Sequence, residues 1–332
     1  MKYKKVVHIA IILQILLFSC EKEIEFKGNE IKTMLVLNGL LVSNSLTSIN
    51  LTESRFFLDD AISFKNIDNA TVELWKDGNR IEKLSNKGEG YYVGKYVLKT
   101  GDNIRITASC EGFNPIECST EIVVPTQIIS VDTLNFKEDR QYYYNSDYTE
   151  IDSSSYYFYV NSDLYITLQD PKDIPNYYRL NLFTKYTFSN GEILFFPATF
   201  NSDDLVFQKG NDISFVENND FLKSTLFNDE LFDGKDYKLK IKASLWGSSK
   251  IYYNPNNPDE SPDLVGTEIY IELQSLSYPY YMYLKTCDAQ ANMNGVMEYF
   301  SEPVQIYSNV KGGTGILGSY SSWGFGVGLN FK

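Results

Sequence analysis

The chain has 332 residues, 43 acids against 30 lysines and arginines, a formal charge of −13 and a single histidine. A chain this acidic does not hold nucleic acid through phosphate contacts. The histidine, His8, lies in a segment with the marks of a removed export signal, so the mature chain has no imidazole; Ser-His-Asp and Cys-His nucleophile systems and most zinc and non-haem iron sites are excluded.

That segment has a basic start at Lys2, Lys4 and Lys5, an apolar stretch from Val6 to Phe18 and a small residue, Ser19, before Cys20. The stretch is too short to span a bilayer. Ordinary cleavage with a structural thiol needs small residues at −3 and −1, whereas Leu17 stands where a lipoprotein signal wants leucine. The expectation is a signal over 1–19, a lipidated Cys20 and a flexible, acid-rich tether over 20–32. Each methylene of the acyl chains contributes about 0.8 kcal/mol of membrane affinity, and with more than one chain the anchor is effectively permanent.

From Met34 to Pro125 short strands alternate with turn signals, the rhythm of an all-β sandwich. Thr71-Val72-Glu73-Leu74-Trp75 alternates, Asp77-Gly78-Asn79 supplies a turn, and Ile81 begins the return strand. Gly101-Asp102-Asn103 precedes another strand, Ile104 to Ala108, and Ile122-Val123-Val124 closes the unit. The expectation is an immunoglobulin-like sandwich over 33–125. Cys110 and Cys118 flank the loop Glu111 to Glu117 and are read two ways, as a disulfide across a hairpin or as two unpaired thiols, with Cys287 packed in the core.

A second, larger β-sandwich with one short helix is expected over 126–332. Its start is interrupted by a tyrosine-rich stretch, 139–155, with no apolar period, read as an exposed loop. Alternation resumes at Leu164 to Leu168, Tyr178 to Leu182, Tyr237 to Lys242 and Ile269 to Leu273. Pro279 stands at a helix start, with Tyr280, Tyr283, Leu284 and Cys287 at helical spacing, so the tyrosines read as helix packing. Trp246 and Trp323 are read two ways, as core anchors or as exposed platforms.

No catalytic residue, cofactor or metal site is assigned. The acid pairs Asp59-Asp60, Asp203-Asp204 and Asp229-Glu230 point to opposite strand faces and cannot form a catalytic couple by themselves. Asn218-Asn219-Asp220 and Asn256 to Glu260 offer oxygens to calcium but lack its loop spacing, and solvated turns are the default. Lys311-Gly312-Gly313-Thr314-Gly315 is a poor phosphate loop, because strand-like sequence follows it.

The run Ser301 to Val310 followed by Gly312-Gly313-Thr314-Gly315-Ile316-Leu317-Gly318 resembles the ending of the Bacteroidota lipoproteins grouped as domain of unknown function 4249. Leu37-Asn38-Gly39, Ala70 to Gly78, Gly112-Phe113 and Phe232-Asp233-Gly234-Lys235 are similar to the same family, so the likeness covers essentially the whole mature chain. Glu21-Lys22-Glu23-Ile24-Glu25 resembles the surface-export signal of outer-membrane lipoproteins in those bacteria. The resemblance implies an outer-membrane protein facing the cell exterior, an accessory or substrate-capture partner of a TonB-dependent transporter, with a peptide, glycan or other nutrient as unnamed ligand. Two further readings stand beside it: a structural or adhesive envelope protein without a small ligand, and a carboxylate-dependent hydrolase needing two acids across a cleft.

Overall fold

The computed structural model describes residues 32–55, 63–144, 151–208, 225–248, 262, 264–293 and 304–329, with backbone alone for 143–144, 151–155 and 292–293. Its first eight strands are β1 (Leu35–Val42), β2 (Leu46–Glu53), β3 (Thr71–Lys76), β4 (Asn79–Lys83), β5 (Ser85–Gly88), β6 (Tyr91–Val97), β7 (Asn103–Ser109) and β8 (Ile116–Glu121). Asp77 and Gly78 take φ of 47° and 82°, the left-handed pair that lets a two-residue turn follow the strand twist between β3 and β4.

The pairing order is β1-β2-β6-β5 in one sheet and β4-β3-β7-β8 in the other. Leu37, Leu51 and Tyr92 from the first meet Leu74, Ile106 and Cys118 from the second in a single core. This is the A-B-E-D against C′-C-F-G order of an immunoglobulin sandwich, as the turn rhythm predicts.

The second half repeats the scheme. It runs β9 (Ile128–Tyr144), β10 (Ile151–Gln169), β11 (Tyr177–Phe188), β12 (Ile193–Pro197), β13 (Thr199–Asn201), a single helical turn α1 (Leu205–Gln208), β14 (Leu226–Asn228), β15 (Asp236–Ser248), β16 (Leu264–Leu276), helix α2 (Tyr278–Met293) and β17 (Thr314–Gly328). The order β9-β10-β15-β13 faces β12-β11-β16-β17, with β14 added beside β11. Phe158, Leu164, Leu180, Leu239 and Ile271 build the core between them.

β17 belongs to both sandwiches. It runs antiparallel to β16, with Leu276 opposite Tyr320, and parallel to β1, with Val36 opposite Thr314 and Val42 opposite Tyr320. One sheet therefore continues from β12 to β5. Leu317 is buried in the first core, while Phe325 and Val327 pack against the second. The close approach of β17 to β1 explains Gly315: its φ is 109°, and a Cβ there would run into the Leu37 carbonyl oxygen.

α2 begins one residue before Pro279 and seats Tyr281, buried, against Leu226 and Leu276. Tyr280 lies over Gly318, where an added Cβ would come within 2.7 Å of it. The tyrosines of this helix pack it onto the sheet, as expected.

Residues 139–144 and 151–155 of the tyrosine-rich stretch are strand, not the loop the composition suggests, while 145–150 lie outside the described residues. β9 and β10 pair through Tyr159 opposite Asp139 and Tyr157 opposite Gln141 to Ile151 opposite Tyr144. β15 ends opposite Tyr157, and among the described residues no third strand pairs with the far part of this hairpin. Asp139, Gln141 and Tyr142 are exposed, so this end of β9 needs no apolar alternation, while tyrosine still favours the extended backbone.

Candidate binding surfaces

On β10 the even residues from Phe158 to Leu168 point inward, so Tyr157, Tyr159, Asn161 and Tyr165 face out; on β15 the odd residues are buried and Lys238, Lys240, Lys242, Ser244 and Trp246 face out. Register sets Tyr159 opposite Trp246 and Tyr165 opposite Lys240. Trp246 is 63% exposed, the platform of its two readings and not the core anchor. The cause is its phase: Leu245 takes the inward position. Its ring lies 5.4 Å from that of Tyr157 at an interplanar angle of 22°. Trp323 follows the core reading, partly buried against the second core.

The opposite sheet carries a different aromatic group. Phe195 meets Tyr270 at 4.9 Å and Phe183 at 6.0 Å, both edge to face, beside the Lys185–Glu268 ion pair at 2.7 Å. Phe195 and Ile193 are exposed and belong to β12, the edge strand Ile193-Leu194-Phe195-Phe196-Pro197. Edge strands invite pairing unless guarded by charge, brevity, bulges or cover. The other described edges have such guards. β4 carries Arg80 and Lys83, β5 is polar, β13 has three residues, β9 is bulged, and β8 is bridged at Glu117 by Lys311. β12 has Pro197 at one end and no charge.

A depression of about 520 Å³ in the first sandwich is lined by Thr71, Glu73, Thr107, Glu117 and Lys311 among others and contains no ring. The exposed rings of Phe195 and Trp246 lie instead on strands of the second sandwich.

Among the described residues, Asp170, Asp229 and Asp233 are a group of acids whose ligand oxygens lie within 4.8 Å of one another. Each is engaged by loop donors. Asp170 accepts from the Tyr178 hydroxyl and from the Gly234 amide at 2.9 Å; Asp229 accepts from the Asn176 amide at 2.8 Å, and Asp233 from the Asp173 amide at 3.0 Å. Burial holds the Asp170 carboxyl above its ordinary range, with the Tyr178 and Gly234 hydrogen bonds opposing. The cluster laces the β10–β11 loop to the turn before β15. Asp204 works similarly, accepting from the Tyr237 hydroxyl and the Val206 amide, while Asp203 pairs with Lys242 at 3.4 Å. Asp59-Asp60, Asn218 to Asp220 and Asn256 to Glu260 lie outside the described residues.

The family model described as domain of unknown function (DUF4249) matches residues 21–323. The chain belongs to the DUF4249 family. The match starts immediately after Cys20 and ends within β17, so both sandwiches of this DUF4249 chain lie inside it. No curated protein matches the chain.

Cys20 and the tether up to Ile31 lie outside the described residues. Cys110 and Cys118 are free thiols, not a cross-hairpin disulfide. Register puts Cys118 opposite Ile106, four residues short of Cys110, and the Cys110 thiol bonds to Asn69 Oδ1 at 3.2 Å. Four residues of strand are about 13 Å, far beyond disulfide reach. Burial pushes the Cys118 thiol up to about 12. Cys287 is half-buried on α2. No helix among the described residues is long and apolar enough to cross a membrane. Thr314 opens β17, so the Lys311 to Gly315 run leads into a strand, not a helix.

Sequence reasoning missed Asp170, which stands alone in the sequence, and left the exposure of Trp246 undecided. The Leu239-Lys240-Ile241-Lys242-Ala243 alternation, carried forward to Leu245, would have signalled that Trp246 faces out.

Proposed function

We propose that this is a lipid-anchored binding protein of the outer membrane, facing the exterior, that assists a TonB-dependent transporter by contact and not by catalysis. Cys20 supplies the anchor and the resemblance of its neighbours to lipoprotein and surface-export signals supplies the location. The observation that carries the contact role is the β12 edge, apolar, uncharged and limited among the described residues by Pro197 at one end, with Phe195, Phe183 and Tyr270 beside it, in a molecule whose other described edges are charged, polar, very short, bulged or bridged. A strand or apolar face of a protein partner fits that surface.

Mass spectrometry of what co-purifies with a tagged copy from gently solubilised outer membranes tests the proposal. Recovery of a TonB-dependent barrel in comparable amount supports it; recovery of the lipoprotein alone sinks it. The continuous sheet from β12 to β5 favours a second reading, a stiff spacer or adhesive module, and recovery of the protein alone would favour that one. Loss of membrane fractionation in Cys20→Ala is expected under both.

A further inference from the structure

We infer that the outward face of the β9-β10-β15-β13 sheet, centred on Trp246, is a platform for a neutral glycan chain. The inference names a ligand class for the binding role proposed above and rests on it. Register lines up Asp139, Tyr159 and Trp246 in one row across three strands, and Gln141 and Tyr157 in the next. Tyr159 is 45% exposed and Trp246 63%. Exposed rings gathered on one face mark a binding surface more often than chance placement does.

A sugar ring has an apolar C–H face and a rim of hydroxyls. Trp246, exposed and backed by the Tyr157 ring stacked against it, offers a broad outer face for the first. Asp139 and Gln141, both exposed and on the same side, supply an acceptor pair and a carboxamide for the second. One row further along, Ser244 donates to Asn161 Oδ1 at 2.8 Å, continuing the polar margin. Protein partners gain most from anchors seated in desolvated pockets, whereas these rings stand on an open sheet. On this face Lys238 pairs with Asp132 at 2.7 Å and Lys242 with Asp203 at 3.4 Å, and Lys240 offsets Asp139 in sign, so acids and lysines balance and the surface suits a neutral chain rather than a polyanion.

Calorimetric titration of the lipidated, detergent-solubilised protein with cello-, xylo- and manno-oligosaccharides, and with polygalacturonate as the charged control, tests the inference. The expected result is binding of at least one neutral oligosaccharide, weakened tenfold or more by Trp246→Ala and largely kept by Trp246→Phe, with circular dichroism unchanged. Absence of neutral binding, binding that survives Trp246→Ala, or binding of polygalacturonate alone overturns it. A barrel that co-purifies while no oligosaccharide binds removes the glycan assignment and leaves the accessory role; oligosaccharide binding without a barrel removes the transporter partnership and leaves the platform.

Discussion

In the first sandwich the strands have eight residues or fewer, the edges β4 and β5 are polar, and Trp75 is held by the Arg105 guanidinium 4.4 Å from its ring centre. In the second, built on the same strand order, β9 and β10 run to 17 and 19 residues, α2 is inserted between the last two strands, and rings stand exposed on both outer faces. The shared order shows that strand topology is set by pairing and core packing, which both halves satisfy alike. What differs is the outside, where stability makes no demand for exposed aromatics. Function is therefore sought on the second sandwich, with the first as its support.

The comparison breaks most visibly at the strand the two share. Gly315→Ala forces a left-handed φ on alanine and drives its Cβ into the β1 backbone; a loss of about 3 kcal/mol or more is expected in urea unfolding. Leu317→Ala should cost about 3 kcal/mol by opening a cavity in the first core, although residue 317 follows the second sandwich in sequence. If hydrogen exchange after that change quickens only in the second sandwich, the shared-strand account is wrong.

The buried acids titrate in opposite senses. Asp102, in the first sandwich, suffers desolvation but accepts from Lys76 at 2.7 Å, the Lys99 amide at 2.9 Å and the Tyr96 hydroxyl at 3.0 Å, and its carboxyl lies below the ordinary range. Its contribution is complete above the unfolded value of about 3.9 and is lost as pH falls through the lower folded value. Asp170 is held high by burial, so its contribution is complete below about 3.9 and lost as pH rises through its folded value. Asp102→Ala should cost about 1–3 kcal/mol at neutral pH and flatten the acid limb of the stability curve. An unchanged acid limb in that variant would deny Asp102 the role. The smallest effect on folding is expected for Phe195→Lys, within about 0.5 kcal/mol, yet that variant should lose the co-purifying barrel; undiminished recovery would move the contact elsewhere.

Much of the fold was legible where the cause was local. Alternation marked β7, β11, β15 and β16, Asp77-Gly78 marked a hairpin, and Pro279 with its spaced tyrosines marked α2. The parallel pairing of β1 with β17 was not legible, because its partners sit at opposite ends of the chain and no turn fixes their register. The strand at 139–142 was hidden because its exposed residues carry no hydrophobic period. Of the candidate site, the rings were visible as letters, but whether Trp246 faced in or out depended on one residue of phase. The Asp170 cluster was invisible for another reason: its members come from two loops that only the finished sandwich brings together.

β17 has one more consequence, for how the molecule is made. A chain that stops before Thr314 has every other strand but leaves β1 and β16 each with an open side, and the first core lacks Leu317. Neither sandwich can close before residues 314–328 have been made. β17 therefore acts as a latch: β1 and β16 gain their missing partner in the same late step, and both cores lock together.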